Sequence, residues 1–379
     1  MSILFIIIMA AALVYACIHI GLIFGLKRLI NPEERTQPFI SIIVAARNEE
    51  ANISSLIDCL LNQSYPSYEV IIVDDRSEDR TAQIIKEYAS KDKRLKFISI
   101  NSISSSLPPK KNALTEGIKI SRGAILCFTD ADCLPPQNWL TFVAAHFDSS
   151  TGLVAGYSPY IQSNNRSSLL TKFITYEEFR AALWSAGAIG VNLGWLCTGR
   201  NLAYRRQVFD DVGGFESIKH SISGDDDLFL QLVRKKTLWK IRYMISPQSF
   251  VPTFPPSTFH SFVEQRKRHF SAAKFFSLPM KTFFALYHFA NFLLYLSLLV
   301  AVLFHPLIGV KSLLPFSIKL FFDAALLYYG SKRFQIPQPR INLVLMEFLY
   351  FLYNSFIGPL GLILKFQWKS STNAAPSEK

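Results

Sequence analysis

A chain of 379 residues is long enough for one sizeable catalytic core together with membrane-embedded helices. Half of it is hydrophobic and 32 residues are phenylalanine, a load gathered in the first 26 positions and again beyond about Pro279, which argues against an evenly soluble globule. The formal charge of +12 sits beside those apolar stretches, at Lys27-Arg28, Arg266-Lys267-Arg268, Lys332-Arg333 and Arg340. There is no long basic run, so a membrane surface and not nucleic acid is the expected partner. Five cysteines without a C-x-x-C pair and seven histidines without an H-x-x-x-H pair exclude a disulfide framework and a structural zinc, and fit a reducing compartment.

Ser2 to Leu26 carries no Asp, Glu, Lys or Arg and is long enough to cross a hydrocarbon layer of about 30 Å. Its positive charge follows the apolar run, unlike that of a cleaved signal peptide, which places what comes after on the cytoplasmic side. The expected organisation is an anchor and juxtamembrane segment over 1–30, a catalytic domain over 36–250, an amphipathic interfacial segment over 251–280, a C-terminal membrane region over 281–368 and a polar tail over 369–379.

Beyond the linker Asn31–Pro38, buried strands are predicted at Phe39–Ala45, Val70–Asp74, Leu95–Ile100 and Ala124–Thr129, with helices at Asn52–Leu61, Thr81–Tyr88 and Asn112–Ile120. This alternation predicts an α/β domain with a mainly parallel sheet. Leu153–Tyr160 reads as a further strand, Leu169–Leu183 as an amphipathic helix and Leu228–Val233 as a helix. Ser257–Phe276 interleaves phenylalanines with Arg and Lys and reads as a helix lying in the membrane interface. Three more apolar stretches, Thr282–Phe304, Leu307–Gly330 and Ile341–Phe366, are expected to supply two to three spans, making a multi-pass membrane protein. In the middle one, Lys319 and Asp323 lie four apart and can pair on one helix face.

Ligands of open α/β sheets bind beyond the carboxyl ends of the strands. The first predicted strand ends in Ala46-Arg47-Asn48-Glu49, the second in Asp74-Asp75-Arg76-Ser77 and the fourth in Asp130-Ala131-Asp132. Alternate residues leaving a strand point the same way, so Asp130 and Asp132 can approach one hard cation, Mg²⁺ or Mn²⁺. Asp74-Asp75 fits either a base or ribose contact or a turn that caps the next helix. Lys110-Lys111 fits either phosphate contact or an ordinary solvated pair. Asp225-Asp226-Asp227 opens a helix, where the dipole favours one carboxylate but does not call for three. No G-x-G-x-x-G follows the first strand, which excludes a dinucleotide oxidoreductase.

Together these segments resemble the family 2 glycosyltransferases and their GT-A nucleotide-sugar-binding fold, a Rossmann-like α/β domain, over about Phe39 to Phe270. The resemblance is carried by Ser41–Glu49 (SIIVAARNE), Val73–Ser77 (VDDRS), Lys110-x-x-Ala113-Leu114, Thr129–Asp132 (TDAD), Thr198–Arg205 (TGRNLAYR), the acidic cluster and Gln265–His269 (QRKRH). It implies an inverting, metal-dependent transferase taking a nucleotide-diphosphate sugar, with a uridine-linked donor expected, and a lipid-linked or membrane-associated acceptor. Ala46, Asn48, Glu49, Asp74, Asp75, Lys110, Asp130, Gln265 and Arg268 would form the donor side, and Asp132 would bind the metal. Gly199, Arg200 and Asn201 would face the acceptor. Asp225 would be the catalytic base, with Asp226 the neighbouring candidate. Gly224 stands where that family has an acidic residue, and His269 where it has tryptophan. The rivals are a processive polysaccharide synthase, for which the predicted spans are few, and a silent sugar-nucleotide-binding membrane scaffold, against which the three intact carboxylate groups count.

Overall fold

The computed structural model describes residues 3–32, 37–102, 106–161, 168–308, 313–337 and 341–363. Linker positions 33–36, loop positions 164–167, Arg340, the end of the last apolar stretch and the tail 369–379 lie outside the described residues.

The first apolar run forms one helix, α1 (Ile3–Arg28), with Lys27 and Arg28 in its last turn, where cations complement the helix dipole. The chain then alternates strands and helices: β1 (Ile40–Ala46), α2 (Ile53–Leu61), β2 (Tyr68–Asp75), α3 (Thr81–Lys91), β3 (Leu95–Ile100), α4 (Pro109–Ile120), β4 (Ile125–Phe128), α5 (Trp139–Ala145) and β5 (Thr151–Gly156). There follow α6 (Leu169–Gly190), β6 (Leu202–Arg205), α7 (Arg206–Val212), α8 (Asp227–Lys236) and β7 (Lys240–Met244).

Seven strands make one sheet in the order β3-β2-β1-β4-β6-β5-β7. The first four run parallel, and β6 is antiparallel to both its neighbours. Side chains alternate across β1: Ile43 joins a core shared with α4 and α6, whereas Ile40, Ile42 and Val44 join one shared with α2 and α5. Both faces are thus covered, as a parallel sheet requires. The predicted fifth strand, Leu153–Tyr160, stops at Gly156, where the Asn201 side chain lies so close that a Cβ would sit 2.4 Å from its amide nitrogen. Strands β6 and β7 carry no predicted counterpart. One is four residues long and the other, KIRYM, alternates basic with apolar residues at the sheet edge, so neither offers a buried β-branched run.

Helix α6 is buried nearly all round, which is why it lacks the amphipathic pattern expected of it. On one side it meets the sheet; on the other it crosses α1 at glycines. A Cβ on Gly25 would fall 1.8 Å from the Gly187 carbonyl oxygen, and one on Gly190 2.1 Å from that of Gly25, so the two backbones touch where only glycine fits.

The C-terminal part comprises α9 (Phe259–Ser271), α10 (Leu278–Ile308), α11 (Leu314–Arg333), α12 (Leu343–Leu352), a π-helical turn at Tyr353–Ile357 and α13 (Gly358–Ile363). Among the described residues, Ile3–Arg28, Leu278–Leu303 and Leu343–Ile363 are long and apolar enough to cross a membrane. Helix α11 is not in that set. It holds Lys319 and Asp323, both fully buried and 2.7 Å apart, the pairing that their spacing predicts. Lys319 also lies 2.6 Å from Glu347 of α12, and Arg180 of α6 lies 3.0 Å from Asp323 and bonds Glu347. Tyr15 of α1 donates to Asp323 at 2.7 Å. Two cations thus face two carboxylates in a buried group that fastens α1, α6, α11 and α12 to one another.

The predicted interfacial helix is α9. Its Thr258–Ser261 capping box fixes the start, Phe259 is 62% exposed, and Phe262 and Arg266 are buried. The helix lies against α13, where a Cβ on Gly361 would come within 2.8 Å of the Lys267 carbonyl oxygen.

Candidate active site

The parallel strands end along one edge, and the loops that leave them are laced together there. Asn48, in the left-handed region at φ +52°, accepts the Glu78 N–H at 2.9 Å, while its own N–H donates to Ser77 Oγ at 3.0 Å. The Glu49 N–H donates to Thr81 Oγ1 at 2.8 Å. Ala46 is the buried last residue of β1. Asp75 holds the Arg76 guanidinium through two bonds of 2.8 and 3.2 Å. Asp74 is different. Burial pushes its carboxyl up, and its Oδ1 is buried with no hydrogen-bond partner, which suits an incoming ligand donor.

Lys110, in the first turn of α4, is the centre of the arrangement. Its Nζ lies 2.9 Å from Asp130 Oδ1 and 3.0 Å from Asp225 Oδ2. Burial opposes its charge, but Asp130, Asp225 and Asp226 outweigh that and hold the ammonium protonated well above its ordinary range. Burial likewise acts against Asp130, yet Lys110 prevails and its carboxyl is held below the usual value. For Asp132 the balance is reversed: burial, then Asp130 and Glu49, outweigh Arg200 and push its carboxyl up. Clustered carboxylates of which one is only partly compensated by the protein's cations are a fitting donor set for a hard divalent ion that takes its remaining ligands from phosphate or water. Among the described residues no group of three or more His, Cys, Asp or Glu converges closely enough to hold a metal alone.

The acidic cluster divides by geometry. Asp226 accepts the Gly199 N–H at 2.9 Å on one oxygen and the Asp227 N–H at 2.8 Å on the other. Asp227 accepts the Leu228 N–H at 2.7 Å at the start of α8. Asp225 binds none of these backbone groups; its Oδ2 faces Lys110, and it lines the cavity described below. Gly224 is glycine for a backbone reason. It sits at φ +87°, and a Cβ there would meet Leu228 at 2.5 Å.

Lys111 points the opposite way from Lys110 and is fully buried. Its Nζ donates to the carbonyls of Ile218 at 2.8 Å, Ser223 at 2.9 Å and Ser221, the loop that leads into Asp225. Burial draws its ammonium down to about 8, the acidic cluster opposing. The pair that in sequence fits either phosphate contact or an ordinary solvated pair therefore holds the site from both sides.

A cavity of about 1130 Å³ opens over these groups. Lys110, Asp130, Asp132, Asp225 and Asp226 line one end, with Gly199, Arg200, Gln265 and Arg268 along the wall. Asn201 does not reach it. That side chain is fully buried, donating to the Tyr157 and Ser249 carbonyls at 2.8 Å each and accepting the Trp139 indole N–H at 3.0 Å. Ala46, Asn48, Glu49, Asp74 and Asp75 lie along the strand edge outside the cavity lining. His269 accepts from Arg266 Nη1 at 3.2 Å.

Two wall residues are absent from the sequence reading. Glu177 bonds Arg266, and Glu178 lies 2.6 Å from Arg200, so α6 holds both cations. Their signal is present in the sequence as two adjacent acids inside a largely apolar helix.

The seven-stranded, mainly parallel sheet with helices on both faces is a GT-A fold. A mannosyltransferase from Pyrobaculum calidifontis, solved in complex with GDP-Man and Mn²⁺, shares that fold at a TM-score of 0.54 and 19% identity, covering 93% of this chain and 99% of that one. Residues 41–213 match the family model described as glycosyl transferase family 2. It is 31% identical over 194 residues to the glycosyltransferase AglE of Haloferax volcanii, covering 50% of this chain and 60% of the relative. It is 29% identical over 238 residues to a beta-monoglucosyldiacylglycerol synthase of Trichormus variabilis, covering 60% of this chain and 48% of the relative. The chain thus spans about half the length of these curated relatives.

Proposed function

We propose that this chain is a membrane-bound, inverting glycosyltransferase that moves a sugar from a nucleotide-diphosphate donor, uridine-linked by preference, to a lipid-linked or membrane-associated acceptor in cell-envelope glycan or glycolipid synthesis. The observation that carries this reading is Lys110, held between Asp130 and Asp225 at the head of a cavity whose far end is walled by apolar helices.

In the reaction, Asp225 takes the proton of the acceptor hydroxyl as that oxygen attacks the anomeric carbon. The bond from that carbon to the diphosphate oxygen breaks on the opposite face, inverting the configuration, and the nucleotide diphosphate leaves with the electron pair. Lys110 and Arg268 neutralise the charge that grows on the leaving group. A Mg²⁺ or Mn²⁺ ion held by Asp132 would add to that neutralisation. Asp226 positions the Gly199 backbone, and Asp74, with its unpartnered oxygen, offers an acceptor to the base or ribose. Three helices long and apolar enough to cross a membrane support a bilayer location, and the basic residues after α1 support a cytoplasmic catalytic domain.

The test is a screen of nucleotide sugars with purified protein in detergent, with a membrane lipid extract as acceptor and with Mn²⁺, Mg²⁺ or chelator. Transfer of one sugar to a lipid, lost in Asp225→Asn while donor affinity persists, is the expected result. Normal turnover by that variant would overturn the assignment of the base, and a polymer in place of a singly glycosylated lipid would overturn single transfer.

A further inference from the structure

The cavity does not end at the carboxylates. From α10 it is lined by Lys281, Phe284, Ala285, Tyr287 and His288, of which Lys281, Phe284, Ala285 and His288, at i, i+3, i+4 and i+7, share one face over two turns. His288 lies ten positions into α10, about 15 Å along its axis. Opposite stand residues of the π turn and α13, among them Gly358, Pro359 and Leu362. Ala285 and His288 are exposed, as is Leu362 at 44%. Farther along α10 the ring of Tyr295 stacks on Phe351 of α12 with centroids 4.2 Å apart. The π turn at Tyr353–Ile357 widens the C-terminal limb just where it lines the cavity, a deviation that an uninterrupted α-helix would not give. Helix α10 packs on α1 and α11, and α13 on α9, so neither has its main partner across this gap.

From this geometry we propose that the gap between α10 and the π turn with α13 is a lateral portal, occupied by the hydrocarbon chain of the acceptor lipid. The chain lies along Phe284, Ala285 and Leu362 while its headgroup hydroxyl reaches Asp225. This rests on the membrane-bound reading above and deepens it: the acceptor enters sideways from the bilayer and not from water. A water-soluble acceptor would have no use for Phe284 and Ala285 lining the cavity from a helix that is itself apolar enough to cross a membrane. The polar carboxylate end and the apolar far end of a single cavity match an amphiphile with one reacting headgroup.

The test has two parts. In the first, Ala285→Trp and Leu362→Trp are assayed for sugar transfer to a membrane lipid extract, beside Leu286→Trp, whose side chain is 59% exposed and outside the cavity lining. The portal variants should lose at least tenfold in transfer, and the control should keep it. Donor affinity on the same samples reports whether the fold survives.

The second part needs no variant. Wild-type protein is photolabelled with a diacylglycerol and with a long-chain alkyl phosphate, each carrying a diazirine midway along its chain. Saturable labelling of the peptides containing 281–288 or 354–362 is expected with at least one probe, and which one labels distinguishes a neutral from an anionic headgroup. Portal variants that transfer to lipid at the wild-type rate, or labelling of those peptides no more saturable than that of the outer face of α1, would overturn the portal. A wild-type protein that glycosylates only water-soluble acceptors would instead overturn the reading beneath it.

Discussion

Lys110 stands 3.0 Å from Asp225, and that ion pair joins the first turn of α4 to the loop before α8, more than a hundred residues apart in sequence. Because the same ammonium also meets Asp130, charge on the donor side is tied to charge on the candidate base. Replacing Lys110 by methionine removes a preorganised cation and leaves two carboxylates facing each other. Turnover is expected to fall by about 10²–10³. Steady-state kinetics with the preferred donor would read this, and unchanged kcat would refute it.

The two candidate bases should separate by variant. Asp225→Asn is expected to keep thermal stability and donor affinity and to lose about 10²–10⁴ in turnover, the usual worth of a positioned base. In Asp226→Asn, the amide nitrogen can only donate where a carboxylate oxygen now accepts a backbone N–H. That variant should therefore melt at a lower temperature as well. Thermal unfolding in detergent alongside single-turnover rates distinguishes the two.

Activity should require a divalent cation and vanish with chelator. In Asp132→Ala the concentration of Mn²⁺ giving half-maximal rate is expected to rise at least tenfold, because that variant lacks the carboxylate that Arg200 compensates only in part. A metal titration of wild type and variant at fixed donor is the measurement.

Lys111 predicts a pH signature in stability. Its native value near 8 lies below the ordinary value near 10.5, so between the two the unfolded chain binds more protons than the native one. Wild-type stability should therefore gain on that of Lys111→Met as pH rises from about 8 to 10.5, and the gain should disappear as pH falls through 8. Denaturant unfolding of both proteins across that window tests the sign. The variant should also lose activity, because the carbonyls of 218–223 lose the donor that holds the approach to Asp225.

The buried ionic group offers a double-variant cycle. Asp323→Leu alone leaves Lys319 and Arg180 with one carboxylate between them and is expected to cost about 3–5 kcal/mol. Adding Lys319→Met leaves the Arg180–Glu347 pair neutral and should recover a large part of that loss. Thermal unfolding of the four proteins decides it.

What the sequence made legible follows from how local each signal is. Strands β1 to β4 are short apolar runs bounded by polar turns, and the acidic residues that end β2 and β4 sit where ligands of such sheets bind, so the donor edge could be read from one segment at a time. The opposite wall could not. Asn201 and Arg200 are neighbours in one stretch, yet one side chain is locked under the sheet by Tyr157, Ser249 and Trp139 while the other lines the cavity. That divergence depends on the short β6, which has no period of its own. The partnership of Arg200 and Arg266 with Glu178 and Glu177 joins segments separated by 22 and 89 positions and is visible only once α6 is in place. Likewise Lys110 and Lys111 look equivalent in the chain, and the rotation of about 100° between consecutive helix positions sends one to the carboxylates and the other into the fold.

The glycine crossing of α1 and α6 bears on how this protein can be handled. Trimming the first 28 residues is the obvious route to a soluble fragment, but it would strip the wall against which Gly187 and Gly190 rest, and with it the Tyr15 hydroxyl that bonds Asp323. What was cut away as a leash would prove to be a rib. The freshly bared side of α6 carries Arg180, and a turn earlier Glu177 and Glu178, so the damage would arrive at the cavity wall through a helix that no protease site or expression boundary had touched.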